Sequence, residues 1–378
     1  MRKMIYLDHN ATTAVLPEVF EAMRPFFCEE WGNPSSSYRF GSKLKKIIER
    51  SRSAVSDLIG AQAREIVFTS CGTESNNTAI HSAVMAYPQR KHVITSQVEH
   101  SSVLAMCRSL ETLGFRVTYL PVSGEGLLSL SDLEEAITDQ TALVSLMWAN
   151  NETGVFFPVE EISKLCRSRD VLFHCDAVQA VGKIPVNVNS LQIDYLSLSG
   201  HKLNGPKGIG ALYVSRSTKF HPLIYGGHQE RGRRGGTENV ALIAGFGEAA
   251  KIAKSNIQEY DLKVRRLRDL LENEILNCVA GSQLNGHREK RMPNVTNISF
   301  AGIESEALLL LLDQSGVCAS SGSACLADTD EPSHVVRAMK PGGLASRQMI
   351  RFSLGVENSD QDVERAIQAI RKSVSMLS

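Results

Sequence analysis

Seven short apolar runs, separated by segments of helical pattern, constrain this chain more than any other feature. They are Glu65 to Thr69, His92 to Ser96, Phe115 to Leu120, Ala142 to Trp148, Val171 to Cys175, Tyr195 to Leu198 and Gly210 to Val214. Most are apolar on both faces, as strands between two helical layers must be. Alternation of strand with helix at this spacing predicts a mainly parallel sheet, hence an α/β fold. Ligands of open α/β sheets sit beyond the carboxyl ends of the strands, so the residues after each run are where chemistry is expected.

Those positions are rich in functional groups. Ser199, Gly200, His201 and Lys202 follow the sixth run and precede a turn-rich loop, Leu203 to Gly208. A lysine at the mouth of a buried sheet is a candidate Schiff-base nucleophile, because desolvation lowers an amine's pKa and frees its lone pair. Taken alone, the reading as a solvated turn lysine is favoured, so Lys202 needs support from elsewhere in the chain. Ser70, Cys71, Gly72, Thr73 and Glu74 open a helix after the first run, where free amides and the helix dipole would hold a phosphate. Ordinary capping by Thr73 is the alternative. Glu99 and His100 follow the second run, Asn150 and Asn151 the fourth, and Asp176 and Gln179 the fifth. The spacing of that last pair fits either a capping box or a buried carboxylate holding a protonated ring nitrogen. Each group admits a structural reading, but their convergence on one sheet edge favours a site.

The flanking segments are more ordinary. Met1 to Tyr6 reads as an extended lead, Asp8 to Thr13 as a polar turn, Trp31 to Pro34 as a loop and Gly41 to Leu58 as a charged amphipathic helix. Gly226 to Thr237 reads as a mobile basic loop, and its arginine-glycine composition admits RNA phosphates as a second reading. Val240 to Leu276 is largely helical and leads into a smaller region with strands near Val295 to Phe300 and Met349 to Leu354 and a closing helix, Asp360 to Met376. Gly316 to Pro332 is loop-like and rich in small residues, so Cys325 is expected to be exposed and mobile, as suits a travelling nucleophile. Cys318 is expected to pack. Arg351, flanked by Ile350 and Phe352, is either a buried ion-pair partner or a carboxylate clamp.

Composition narrows the function. Lys plus Arg and Asp plus Glu both total 41, so no net charge calls for nucleic acid or an anionic membrane. The eight cysteines include no Cys-x-x-Cys pair and no paired zinc spacing, which leads us to expect reduced thiols and no metal site. With no apolar leader and no aliphatic run of membrane-spanning length, a soluble cytoplasmic protein is expected.

Leu7 to Thr13, Gly32 to Ser36, Thr69 to Asn77, Glu99 to Ser102, Asn150 to Gly154, His174 to Gln179, Ser199 to Lys202, Gly226 to Asn239, Ser320 to Cys325 and Arg351 to Gly355 together resemble the NifS/IscS-type cysteine desulfurases. The resemblance covers nearly the whole chain, and Ser321 to Cys325 is similar to the loop of that branch rather than the SufS branch. It implies a fold-type I pyridoxal 5'-phosphate enzyme of the class-V aminotransferase family. A large domain, 16–257, would carry a seven-stranded, mainly parallel sheet; a smaller α+β domain, 1–15 with 258–378, would carry the cysteine loop. It further implies a homodimer acting on L-cysteine, with a NifU/IscU-type scaffold as sulfur acceptor. Under the same resemblance Lys202 would bind the cofactor covalently and shuttle protons. Asp176 would pair with the pyridine nitrogen, Gln179 with the ring hydroxyl, and His100 would stack on the ring and assist Cys325. Gly72, Thr73, Ser199, Gly200 and His201 would hold the phosphate, with Thr237 reaching across from the second subunit. Asn150 would contact both cofactor and substrate, while Asn33 and Arg351 would orient the substrate, Arg351 by its carboxylate. Cys325 would take the sulfur as a persulfide. Two departures from the family pattern are His228, where a further glycine is common, and the end of the chain at Ser378, short of the tail of housekeeping IscS proteins.

Overall fold

The computed structural model describes residues 4–322 and 332–377. Its strands are β1 (Ile5–Tyr6), β2 (Ile66–Thr69), β3 (His92–Ser96), β4 (Arg116–Leu120), β5 (Thr141–Met147), β6 (Leu172–Asp176), β7 (Tyr195–Ser199), β8 (Gly210–Val214), β9 (Ser282–Leu284), β10 (Val295–Phe300), β11 (Val317–Cys318) and β12 (Met349–Ser353). The seven apolar runs are the seven strands of one sheet, in the order β2-β8-β7-β6-β5-β3-β4. Pairing is parallel from β4 through β7, and β8 alone runs against its neighbours β7 and β2. The carboxyl ends of β2, β3, β5, β6 and β7 therefore share one edge.

Successive side chains point to opposite faces, and the core divides accordingly. Ile94, Val144, Phe173 and Leu196 join one apolar cluster, while Val93, Leu143, Tyr195 and Leu212 join another beyond the sheet. A third core gathers around the antiparallel sheet β12-β10-β9, with Ile5 and Leu7 of the amino terminus inside it. The 39-residue helix Val240–Cys278, roughly 58 Å long at 1.5 Å per residue, joins the two regions. Its Val240, Ile243 and Phe246 belong to the main core, and its Val264, Leu267 and Leu271 to the small-sheet core.

Two expectations need correction. The amphipathic helix expected over Gly41 to Leu58 is broken at Lys43 into Arg39–Ser42 and Leu44–Leu58. Gly41 packs directly on the backbone of Asn33, so the preceding loop fixes where the long helix starts. The loop expected to be basic and mobile is pinned. Arg52 grips the buried Glu230 carboxylate through both terminal nitrogens, at 2.5 and 2.8 Å, and the amide of Phe68 donates to it at 2.9 Å. Arg231 pairs with Glu49, Arg233 donates to the carbonyl of Ile66, and Arg234 pairs with Glu74. Arg231, Arg233 and Arg234 thus each have a partner within the fold. Among the described residues no helix is long and apolar enough to cross a membrane.

Candidate active site

The shared strand edge opens onto a cavity of about 180 Å³, where Gly72, Thr73, His100, Asp176, Gln179, Ser199, His201, Lys202 and Arg351 meet. Segments more than a hundred residues apart supply it. The helix Gly72–Ala86 begins after Cys71 with no side-chain cap, so capping by Thr73 is not what this segment does. Its first-turn amides face a site where the Ser199 hydroxyl is buried with no partner. Gly72 is required by close approach, since a Cβ there would lie 2.9 Å from Val178. Uncapped amides, a hydroxyl and a helix dipole make an anion cup.

The capping box allowed for Asp176 and Gln179 is not formed, because a turn and not a helix follows β6. Asp176 instead accepts from Asn76 Nδ2 at 2.7 Å and from the Val178 amide at 3.0 Å, while Gln179 Nε2 donates to the Asn10 carbonyl at 3.1 Å. Lys202, in the single turn Gly200–Lys202, donates from Nζ to the carbonyls of Asn10 and Ala11 at 2.5 and 2.7 Å. Gly200 is buried behind it, and a Cβ there would crowd Ile209 at 2.8 Å. It shapes the turn without lining the cavity. Burial, helped by the positive charges of Lys202, Lys207 and Lys183, pushes His201 down to about 4, so it is neutral near pH 7. His100 accepts the Ser102 amide on Nδ1 at 3.2 Å. That bond places the hydrogen of the neutral ring on Nε2.

Arg351 forms the buried ion pair and also stands at the cavity. It is 1% exposed and pairs with Asp8 at 2.6 Å, yet it lines the cavity and its Nε has no partner.

Other expected residues lie elsewhere. Asn150 does not line the cavity. Its Nδ2 donates to the Val98 carbonyl and its Oδ1 accepts from Glu152 and Thr153, so both ends of the amide hold the turn together. Asn151 lines the cavity instead, with an unpartnered Oδ1. Asn33 is exposed and accepts from the Ser35 amide, outside the cavity. Thr237 is exposed and outside the cavity of its own chain. Cys325 lies outside the described residues. Cys318, expected to pack, is only half-buried.

Sequence reasoning gave no role to Asn10, Asn76 or Lys183, and it named Asn151 and Glu99 at strand ends without assigning them one. The Glu99 carboxyl is fully buried, with Ser96 Oγ and the Met147 amide both donating to Oε1 at 2.7 and 3.1 Å. Burial, reinforced by Asp176, pushes it up to about 8. The folded chain thus keeps a proton that the unfolded chain releases above the ordinary carboxylate range near ~4.3. Stability must fall as pH rises from there through about 8, by at most about 1.4 kcal/mol per pH unit. Glu99→Gln retains an acceptor for both donors and has no proton to lose. Denaturant melts between pH 5 and 8.5 should show the variant gaining on wild type as pH rises; parallel curves would rule out a protonated Glu99.

A strand-end lysine, a buried carboxylate, a row of uncapped helix amides and a buried arginine meet at one edge of a seven-stranded α/β sheet, an arrangement suited to pyridoxal phosphate. The chain belongs to the class-V aminotransferase family, a family of pyridoxal-phosphate enzymes, whose model matches residues 5–366. It is 51% identical over 374 residues to a cysteine desulfurase of Trichormus azollae, covering 99% of this chain and 94% of that protein. It is 48% identical to the cysteine desulfurase NifS of Azotobacter vinelandii, covering 99% and 93%. Among solved structures, a NifS-like protein superposes with a TM-score of 0.93 at 36% identity, covering 99% of this chain and all of that one. The cavity fits the cofactor on its own evidence. Ser199 Oγ, Asn76 Oδ1, Asn151 Oδ1 and Arg351 Nε are buried polar atoms without partners around it, and such atoms call for a polar ligand.

Proposed function

We propose that the chain is a cysteine desulfurase that converts L-cysteine to L-alanine, leaves the sulfur as a persulfide on Cys325 and supplies it for iron–sulfur cluster assembly. The main support is one cavity that joins Lys202 and Asp176 to the unsatisfied Arg351. It lies in a chain about half identical over nearly its whole length to proteins named cysteine desulfurase.

When bound, pyridoxal phosphate supplies an electron sink that eases bond breaking at the α-carbon of an amino acid. Gly72, Thr73, Ser199 and His201 would hold its phosphate, and Asp176, oriented by Asn76, would keep the proton on its ring nitrogen. Arg351 receives the substrate carboxylate, with Asn151 rather than Asn150 beside it. Lys202 would hold the cofactor covalently, and its amine would carry the α-proton of the substrate over a short distance. Cys325 attacks the substrate sulfur as a thiolate. The Cβ–Sγ bond breaks with its electron pair left on carbon, that carbon takes up a proton, and alanine leaves. About 3% of a thiol with an ordinary pKa near 8.5 is ionised at pH 7, so a proton acceptor beside Cys325 raises the rate. His100 serves as that acceptor through Nδ1, the ring nitrogen that carries no hydrogen, with the proton taking the place of the Ser102 amide.

The working form is a homodimer in the cytoplasm, in which Thr237 of one subunit completes the phosphate site of the other, and the sulfur acceptor is a scaffold of NifU/IscU type. Residues 16–257 form the cofactor domain, and 1–15 with 258–378 the domain that carries Cys325. Visible spectra before and after L-cysteine, with sulfide and alanine measured in parallel, test the assignment. Cys325→Ala should keep the cofactor spectrum and its response to cysteine while sulfide release falls to background. Undiminished sulfide release from the cofactor-loaded variant would sink the desulfurase reading.

A further inference from the structure

Lys183 is used by none of these steps. It lies in the turn beyond β6, 3% exposed, and donates from Nζ to Gln179 Oε1 at 2.9 Å and to Asn10 Oδ1 at 3.1 Å. The charges acting on it are those of Lys202 and Arg351, both positive; burial first, and then they, push its amine well below the ordinary lysine range. A buried amine among like charges is unfavourable in itself, so its hydrogen bonds are where its contribution must lie.

Those bonds settle the orientation of one amide. The Asn10 carbonyl can only accept, so the group facing it at 3.1 Å is Gln179 Nε2 and the group facing Lys183 is Oε1. With Oε1 engaged by Lys183 and one Nε2 hydrogen given to Asn10, what Gln179 has left for the cavity is a donor. We propose that Lys183 is a positioning residue that holds Gln179 as a hydrogen-bond donor toward the ring oxygen of the cofactor, favouring the ionised oxygen. The proposal rests on the reading of the cavity as a pyridoxal-phosphate site. The charges of Lys202 and Arg351 act on Lys183, that of Lys183 acts in turn on His9, and Glu18 and Tyr260 line the same cavity as Lys183.

The test uses the reconstituted holoenzyme and follows the pH transition in the visible absorption of the bound cofactor. Lys183→Met removes the donor while filling the same space, and frees Gln179 to turn. The transition should rise by about one pH unit or more, the scale of a hydrogen bond to a charged oxygen. Gln179→Leu should produce a similar rise, and the double variant should add nothing to it. Lys183→Gln, which keeps a donor, should fall between wild type and Lys183→Met. An unmoved transition in Lys183→Met, or shifts that add in the double variant, overturns the proposal. Failure of both Lys183 variants to fold or to take up cofactor would assign Lys183 to the scaffold and also overturn it. A wild-type chain that takes up no pyridoxal phosphate sinks the site reading itself, whereas uptake with an unmoved transition sinks only the role of Lys183.

Discussion

Lys202→Ala should lower alanine formation from L-cysteine by at least about 10³-fold, because positioned proton transfer alone contributes roughly 10²–10⁴ and the covalent attachment of the cofactor is lost with it. The fold should survive. Lys202 is half-buried, and its ammonium leans on the carbonyls of Asn10 and Ala11 without crossing any apolar core. The expected signature is a normally folded protein that binds pyridoxal phosphate reversibly, lost on dialysis, and turns over at background. Activity within tenfold of wild type at saturating cofactor would mean that another group moves the α-proton, and the assignment of Lys202 would fail.

Arg52→Met should cost about 3–5 kcal/mol of stability, the usual result of stranding one member of a buried ion pair. The buried Glu230 carboxylate would be left with only the Phe68 amide donating to it, at 2.9 Å. Glu230 and Arg231 hold left-handed backbone angles, φ of 49° and 61°, which cost roughly 1–3 kcal/mol each and persist only where neighbours enforce them. Without Arg52 the loop should relax from that shape. Because the same loop carries Thr237, proposed to complete the phosphate site of the second subunit, cofactor affinity should fall together with stability. Arg52→Met/Glu230→Gln should recover part of the stability, since no charge is then stranded. Guanidinium melts and cofactor titrations measure both effects; a loss under about 1 kcal/mol would show that the pair is hydrated in solution.

The sheet was legible because its strands are buried on both sides, so each appears in the sequence as an apolar run with hard edges. All seven fall within one residue of their observed limits. β1, β9 and β11, two or three residues long, carry no such signal. The site was legible as a set of strand ends and less so residue by residue. Nothing local distinguishes Asn150 from Asn151; what separates them is that the first closes its own turn and the second faces the cavity. Lys183 follows a glycine in a turn, which in sequence is the mark of a solvated lysine. Only the closure of Asn10 and Gln179 over it, from 173 and 4 residues away, buries it. Glu99 was visible as a strand-end acid, but its retained proton comes from burial that no local pattern reports.

The amino terminus sets the order in which this molecule can be completed on the ribosome. Ile5 pairs with Val317, the Leu7 amide donates to the carbonyl of Cys318, and the His9 amide donates to that of Ser353. These contacts hold the turn whose carbonyls receive Lys202. The strands that seat this turn are made more than three hundred residues after it, on the order of tens of seconds later at ordinary translation speed. A nascent chain can therefore assemble the main sheet and its phosphate cup while Lys202 still lacks its seat. A ribosome that stalls before Ser353 thus leaves a sheet whose Lys202 has no seated turn to meet.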